Sequence, residues 1–154
     1  MSAFRAYYAR NIRSHNVVEY TPDGSSLFYR GDFVYYDTST DTVKQCGADP
    51  ALIAAVAETD YTYKNIVPTA KVPLRLLQAD DVIAMPSATD YADTYIGDSL
   101  DIAKASNGVW KVLTTTSNPR VLVVGGVPAA ESVDGAIWFV QVLAAYCQFD
   151  AVAS

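Results

Sequence analysis

The chain has 154 residues, of which 51% are apolar and 18% charged, so it can bury a core and is not intrinsically disordered. Its net charge of −6, from 11 basic and 17 acidic residues, excludes a surface built mainly to neutralise nucleic-acid phosphates. Because its longest apolar run, residues 136–146, is too short to span a bilayer and no signal peptide is apparent, we expect one domain made in a cytoplasm, with neither nucleic acid nor membrane as partner.

The N-terminal segment carries the opposite charge to the rest of the chain. Three arginines precede the first acidic residue, Glu19, so residues 1–15 carry +3, and aromatic residues accompany the arginines. Tyrosine and arginine are enriched at the energetic centres of interfaces. We predict an extended arm over residues 1–20 on a body over residues 21–154, the alternative being a mobile terminus with scattered charge. The predicted partner-binding side chains are Phe4, Arg5, Tyr7, Tyr8, Arg10 and Arg13.

Two stretches of the body share one pattern. Gly31-Asp32 and Gly97-Asp98, 66 positions apart (97 minus 31), each open an alternating run, reach a polar turn and return through an apolar residue followed by lysine. Alternation at period two is typical of strands, and Asn107-Gly108 between two such runs is a strong hairpin signal. We therefore predict two β-hairpins, and the echo between them reflects either related hairpins or the chance recurrence of a common turn pair.

The other predicted elements are short strands. They fall at residues 17–20, 72–77, 80–85, 120–124 and 136–143, with loops over 59–70 and 87–96. Residues 49–58 are predicted as a short helical turn, capped by Asp49 and Pro50, that leads into a strand. Pro73 suggests that its strand lies at a sheet edge or bulge. The fold class is all-β: a small β-barrel or β-sandwich of about ten short strands, with the N-terminal arm and at most one short helix.

The sequence offers no constellation for catalysis. The single histidine, His15, lies in the arm, and no serine or cysteine motif for nucleophilic chemistry is present. Cys46 and Cys147 lack metal-ligand spacing and lie in apolar runs, which predicts buried thiols rather than a disulfide. We therefore predict no enzyme and no catalytic, cofactor-binding or metal-binding residue.

Several acidic and aromatic residues admit two interpretations. Asp80-Asp81 is a carboxylate pair in sequence, but neighbouring strand residues point to opposite faces and cannot share a proton. We therefore interpret the pair as part of a solvated turn. The aspartates of residues 90–101 could bind calcium but lack its loop pattern, so we interpret them as loop acidity. Trp110 and Trp138 are predicted core residues. Four loop tyrosines could stack sugars or bases, or form subunit contacts: Tyr61, Tyr63, Tyr91 and Tyr95.

The order of these features resembles that of small β-rich head proteins of tailed bacteriophages. The similarity starts with Gly31-Asp32-Phe33-Val34, Asp37 and Thr42-Val43, and continues through Ala48-Asp49-Pro50 and the apolar residues 51–57. It extends over residues 96–100 and 107–112 to the closing apolar strand near Gln148, so it covers residues 27–149. This chain has Ala55 where the pattern has glycine.

The resemblance implies a capsid decoration, or cement, protein of the virion. Such proteins commonly form homotrimers on the outer surface of the head and clamp neighbouring subunits of the major capsid protein, and the family contributes no catalytic residues. Three alternatives remain open: a carbohydrate- or receptor-binding module of a virion, favoured by the aromatic loops, a hydrolase with an acidic site built from the aspartates of residues 90–101, and a head–tail or tail structural protein.

Overall fold

A computed structural model describes residues 7–10, 17–23, 27–47, 50–58, 61–62, 71–105 and 109–151. These residues form an all-β protein with short 3₁₀ turns and one final turn of helix, α1 (Gln148–Ala151). The strands are β1 (Tyr7–Arg10), β2 (Val17–Tyr20), β3 (Leu27–Phe28), β4 (Phe33–Asp37), β5 (Thr42–Gln45), β6 (Ala55–Ala57), β7 (Tyr61–Thr62), β8 (Val72–Leu76), β9 (Val82–Pro86), β10 (Ser99–Leu100), β11 (Ile102–Lys104), β12 (Trp110–Val112), β13 (Val121–Val127) and β14 (Ile137–Val142).

Two antiparallel five-stranded sheets hold most of these strands. The first has the order β2-β8-β6-β4-β5 and the second the order β1-β9-β14-β13-β10, while β11 pairs with β12 and β3 with β7. Within the described residues the sheets form no closed barrel, and the arrangement is sandwich-like. Both predicted hairpins are confirmed, as β4–β5 and as β11–β12.

The two sheets are built as two repeats with equivalent pairing. In the first repeat β4 pairs with β6 through Phe33 and Val56, and in the second β10 pairs with β13 through Ser99 and Leu122. Each residue of the second pair lies 66 positions after its counterpart. The same offset relates the β6–β8 register to the β13–β14 register, and β2 corresponds to β9 with an offset of 65. The echo between the hairpins is therefore one part of a duplicated structure.

The Gly-Asp pairs occupy equivalent turns at the entry to each repeat's hairpin. Gly31 and Gly97 have φ of 88° and 92°, a left-handed conformation that glycine adopts without strain. The N–H of Gly31 donates to the Ala57 carbonyl at 2.9 Å, and the N–H of Gly97 donates to the Val123 carbonyl at the same distance. Since Val123 lies 66 residues after Ala57, the hydrogen bonds repeat together with the strands.

The core has one large cluster and one smaller cluster. The smaller one fills the inner face of the first repeat's sheet, with Val34 and Leu74 among its members. The larger one fills the inner side of the second repeat. It continues to the joint between the repeats, where Phe33 and Val56 of the first repeat meet Trp110 of the second. Trp110 and Trp138 are 1% and 0% exposed in the larger cluster, as predicted. The two cysteines are also buried and are not joined in a disulfide, as predicted.

Two predictions about strands and helices are wrong. The described part of residues 49–58 contains no helical turn, because the backbone of Ile53 is engaged by the C-terminal segment: Ile53 N–H donates to Tyr146 O at 2.7 Å, and Gln148 N–H donates to Ile53 O at 2.9 Å. The strand that contains Pro73 is not at an edge, since β8 lies between β2 and β6. Proline is tolerated there because Pro73 faces Glu58, beyond the end of β6, where its missing N–H breaks no strand pairing.

The C-terminal segment ties the second repeat back to the first. The side-chain amide of Gln148 accepts from Tyr36 N–H and donates to Tyr36 O, both at 2.8 Å. It thereby satisfies backbone groups in the part of β4 with which β6 does not pair. Arg120, which immediately precedes β13, donates to Pro50 O at 2.8 Å, and its guanidinium lies 4.0 Å from the Tyr146 ring centre. These contacts join the two repeats along one side.

Candidate functional site

The predicted arm contributes an edge strand to the second sheet. Within it, β1 pairs with β9 through Tyr7 opposite Ala84 and Tyr8 opposite Ile83, and the register shifts before Arg10. Further along, β2 pairs with β8 in the first sheet. The segment predicted as an arm is thus attached to both sheets at these strands. The other predicted partner-binding residues, Phe4, Arg5 and Arg13, lie outside the described residues.

Three of the four loop aspartates, Asp90, Asp93 and Asp101, accept hydrogen bonds in separate turns. Asp90 accepts from the N–H groups of Tyr91 and Ala129, and Asp101 accepts from the Thr115 hydroxyl at 2.7 Å and Asn118 N–H at 2.9 Å. Asp93 accepts from the Tyr91 hydroxyl at 2.9 Å. Among the described residues, no group of three or more histidine, cysteine or acidic side chains could hold a metal ion. The interpretation as loop acidity therefore gains a structural reason: these carboxylates satisfy backbone and hydroxyl donors.

Asp81 does not lie in a solvated turn as predicted. It is 1% exposed, and its Oδ2 accepts from Gln78 N–H at 3.0 Å while its own N–H donates to Gln78 O. The carboxylate closes the tight turn that connects the two repeats, which is why it is buried although its neighbour Asp80 is partly exposed.

Two loop tyrosines belong to the core. Tyr91 is 4% exposed and meets the Trp138 ring edge-on with centroids 5.6 Å apart, and Tyr95 packs on the same ring at 4.8 Å. Their rings are therefore committed to internal packing, which removes much of the support for a sugar-stacking surface. Tyr63 lies outside the described residues.

Burial raises the pKa of Tyr91 to about 12, with its hydrogen bond to Asp93 as the second cause. The unfolded chain loses this proton near pH 10, so the stabilising contribution is complete below pH 10 and is lost as the pH rises towards 12. We expect the stability advantage of the wild type over Tyr91→Phe to shrink across that interval in urea unfolding followed by circular dichroism. Parallel pH profiles for the two proteins would contradict this expectation.

The described residues contain one buried ion pair at the joint between the repeats, which sequence reasoning missed. Asp32, 0% exposed, accepts from Trp110 Nε1 at 2.5 Å, from Gln45 Nε2 at 2.7 Å and from Lys104 Nζ at 3.3 Å. Lys104 lies 5.7 Å from the Trp110 ring centre, and Phe33 meets that ring edge-on at 5.1 Å. Because Asp32 and Gln45 belong to the first repeat and Trp110 and Lys104 to the second, this joint fixes the repeats against each other.

The surroundings of Cys46, which lies near the joint, disfavour nucleophilic chemistry at its thiol. Burial raises the pKa of the nearby Cys46 thiol, and the negative charge of Asp32 adds to the effect, so the reactive thiolate is disfavoured. Cys46 lines an apolar groove of about 290 Å³ together with Tyr35, Pro50 and Leu52. The groove brings no acid–base pair to the thiol among its lining residues.

The second sheet presents apolar side chains on the side away from the core. Trp138 and Val140 of β14 point inward and are fully buried, whereas their neighbours along the strand alternate outward. We call this surface the outer face; it carries apolar and polar side chains together, all partly buried, and they are Ser99, Leu122, Ile137, Phe139 and Gln141.

Comparison with known proteins leaves the family unassigned: no protein-family model matches this chain, and no curated protein matches it significantly. In the described part of the chain, no helix combines the length and apolar character needed to cross a membrane.

Proposed function

We propose that this chain is a structural virion protein, a bacteriophage capsid decoration or cement protein. It binds the outer surface of the head, associates as a homotrimer, and stabilises contacts between subunits of the major capsid protein. It makes and breaks no bonds. The proposal starts from the resemblance over residues 27–149 and draws its structural support from the attachment of the N-terminal segment.

The observation that carries the proposal is the contrast between an acidic β-sheet body and a basic, aromatic N-terminal segment that is paired to it. The edge strand β1 holds this segment on the second sheet, and β2 holds it on the first. A docking segment anchored at two places has less conformational entropy to lose on binding than a free tail. Three such segments in one trimer act together, so that weak individual contacts multiply through effective concentration.

Charge reversal tests this proposal without removing a strand. Deletion of residues 1–15 would also remove β1, so substitution is the cleaner experiment. We expect Arg5→Glu to weaken binding to purified shells at least about tenfold, because arginine at an interface centre contributes strongly to affinity. Co-sedimentation with shells that lack the protein measures the change.

The control for this experiment is Lys71→Glu, which makes the same change of charge at an exposed position of the body. It should bind like the wild type. Equal occupancy of shells by the wild type and Arg5→Glu would refute the assignment of Arg5, and failure of the wild type to bind any shell of its own virus would refute the proposed function.

A further inference from the structure

The two repeats differ at one edge of their sheets. In the second sheet β9 lies between β14 and β1, whereas its counterpart β2 is the last strand of the first sheet. Val18 of β2 pairs with Leu74. In the second sheet Ile83 of β9 pairs with Val140, the counterpart of Leu74, so Val18 and Ile83 hold the same place in their repeats. Among the described residues, no strand occupies beside β2 the position that β1 occupies beside β9.

The side chains of β2 are less covered than their counterparts in β9. Val18 lies on the same side of its strand as Tyr20, which packs against the smaller core cluster, so Val18 faces inward. It is nevertheless 39% exposed, whereas Ile83, opposite β1, is 0% exposed. The next residue, Glu19, is also exposed, whereas its counterpart Ala84 is buried. A strand added beside β2 would therefore bury apolar surface that the first repeat leaves in contact with water.

The uncovered edge is confined to β2 itself. Immediately after this strand, Val43 N–H donates to Thr21 O and Asp23 N–H donates to Val43 O, both at 3.0 Å, so the chain that follows β2 is paired with β5. Four residues, 17–20, remain for an added strand, and β1 is a strand of the same length on β9. The second repeat thus shows that this edge of the fold accepts a short antiparallel strand.

We propose that an extended segment of the major capsid protein adds to β2 as an antiparallel strand, as β1 adds to β9. In strand addition the main-chain hydrogen bonds provide affinity, and the side chains at alternate positions provide selectivity. The segment that fits carries an apolar residue beside Val18 and a basic residue beside Glu19, in keeping with the net charge of −6 of this chain. The strand comes from another protein, because β1 of this chain is already paired with its own β9. The inference rests on the proposed function, since it names the part of the partner that is bound.

Hydrogen–deuterium exchange tests the inference on the unmodified protein. Mass spectrometry of peptides that contain residues 17–20 compares the free protein with the protein bound to purified shells that lack it. The backbone N–H groups of β2 that point away from β8 become hydrogen-bonded when a strand is added, so we expect their exchange to slow at least about tenfold on binding.

Val18→Lys tests the same edge by substitution. A lysine that points inward on an edge strand opposes the addition of another strand, so we expect the dissociation constant for shells to rise at least about tenfold. Val18 is already 39% exposed, which favours a folded variant, and circular dichroism and the thermal midpoint verify the fold. The exchange measurement on the wild type decides the question if the variant does not fold.

Val133→Lys is the matched control, because it makes the same substitution at a fully exposed valine in the connection between β13 and β14. It should bind shells like the wild type. If the wild type binds shells with unchanged exchange at residues 17–20, or if folded Val18→Lys binds equally well, the inference is overturned and the proposed function stands. Slower exchange that appears with rising protein concentration in the absence of shells would place a second copy at this edge and overturn the inference as well. A wild type that binds no shell refutes the proposed function, and the inference fails with it.

Discussion

Asp32→Ala is expected to destabilise the folded protein by about 4 kcal/mol, because it removes one half of a buried ion pair. The substitution would leave Lys104 charged and largely buried, and Trp110 Nε1 and Gln45 Nε2 without their acceptor. The substitution would also loosen the joint, because the side chains that donate hydrogen bonds to Asp32 come from both repeats. Urea unfolding followed by circular dichroism and tryptophan fluorescence measures the loss.

The duplication supplies the control for this substitution. Asp98 holds the equivalent place after Gly97, with its N–H bonded to Tyr95 O as that of Asp32 is bonded to Tyr29 O, but its side chain is exposed. Asp98→Ala should therefore change the stability by no more than about 0.5 kcal/mol. Similar losses of stability in the two variants would show that the aspartate stabilises the fold through the Gly-Asp turn and not through the buried ion pair.

Gly126→Ala is expected to destabilise the protein by about 3 kcal/mol through overpacking. A Cβ at this position would lie 2.6 Å from the carbonyl oxygen of Ile137 and against the Tyr91 ring. The carbonyl belongs to the neighbouring strand β14, and Tyr91 is fixed between Trp138 and Asp93, so neither can move without breaking other contacts. The thermal midpoint and urea unfolding curve measure the effect.

The adjacent glycine is the control. A Cβ at Gly125 would meet only Phe139 Cδ2 at 3.7 Å, an ordinary van der Waals contact. Gly125→Ala should therefore cost less than about 1 kcal/mol. Equal destabilisation by the two substitutions would indicate that the loss arises from the glycine backbone of β13 and not from the close approach of Tyr91 and Ile137.

The hairpins and the core tryptophans could be predicted because their signals are local. Alternation gives the face of each residue, and a turn pair such as Asn107-Gly108 gives the reversal. The prediction of a helical turn at residues 49–58 was wrong because it relied on a local signal, Asp49-Pro50. The backbone of Ile53 is instead bound by Tyr146 and Gln148, more than ninety positions later. Long-range pairing determined this segment, and no local pattern contains that information.

The joint between the repeats was beyond sequence reasoning for a related reason. Gly31-Asp32 and Gly97-Asp98 are identical in sequence, yet one aspartate is buried in an ion pair and the other is exposed. The difference comes from Trp110 and Lys104 of the second hairpin, which reach the first repeat. The 66-residue offset between the repeats could be seen in the sequence only at the hairpins. Equivalent strand positions such as Phe33 and Ser99 occupy the same place in their sheets but carry chemically different side chains.

The duplicated body and the proposed function are connected by the way each repeat uses its surface. The first repeat buries Phe33 and Val56 at the joint, and the second repeat carries the edge strand β1. A protein that binds a symmetric shell benefits from several identical contacts held at fixed spacing, since their effective concentrations reinforce one another. Two repeats locked by Asp32 supply that fixed spacing.

Electron cryo-microscopy of the intact particle encoded together with this chain tests the central claim most directly. The account predicts density for the two-repeat body on the outside of the head, with its N-terminal segment against neighbouring subunits of the major capsid protein. An outer layer without this density, or density for the chain in the tail or inside the head, would contradict it.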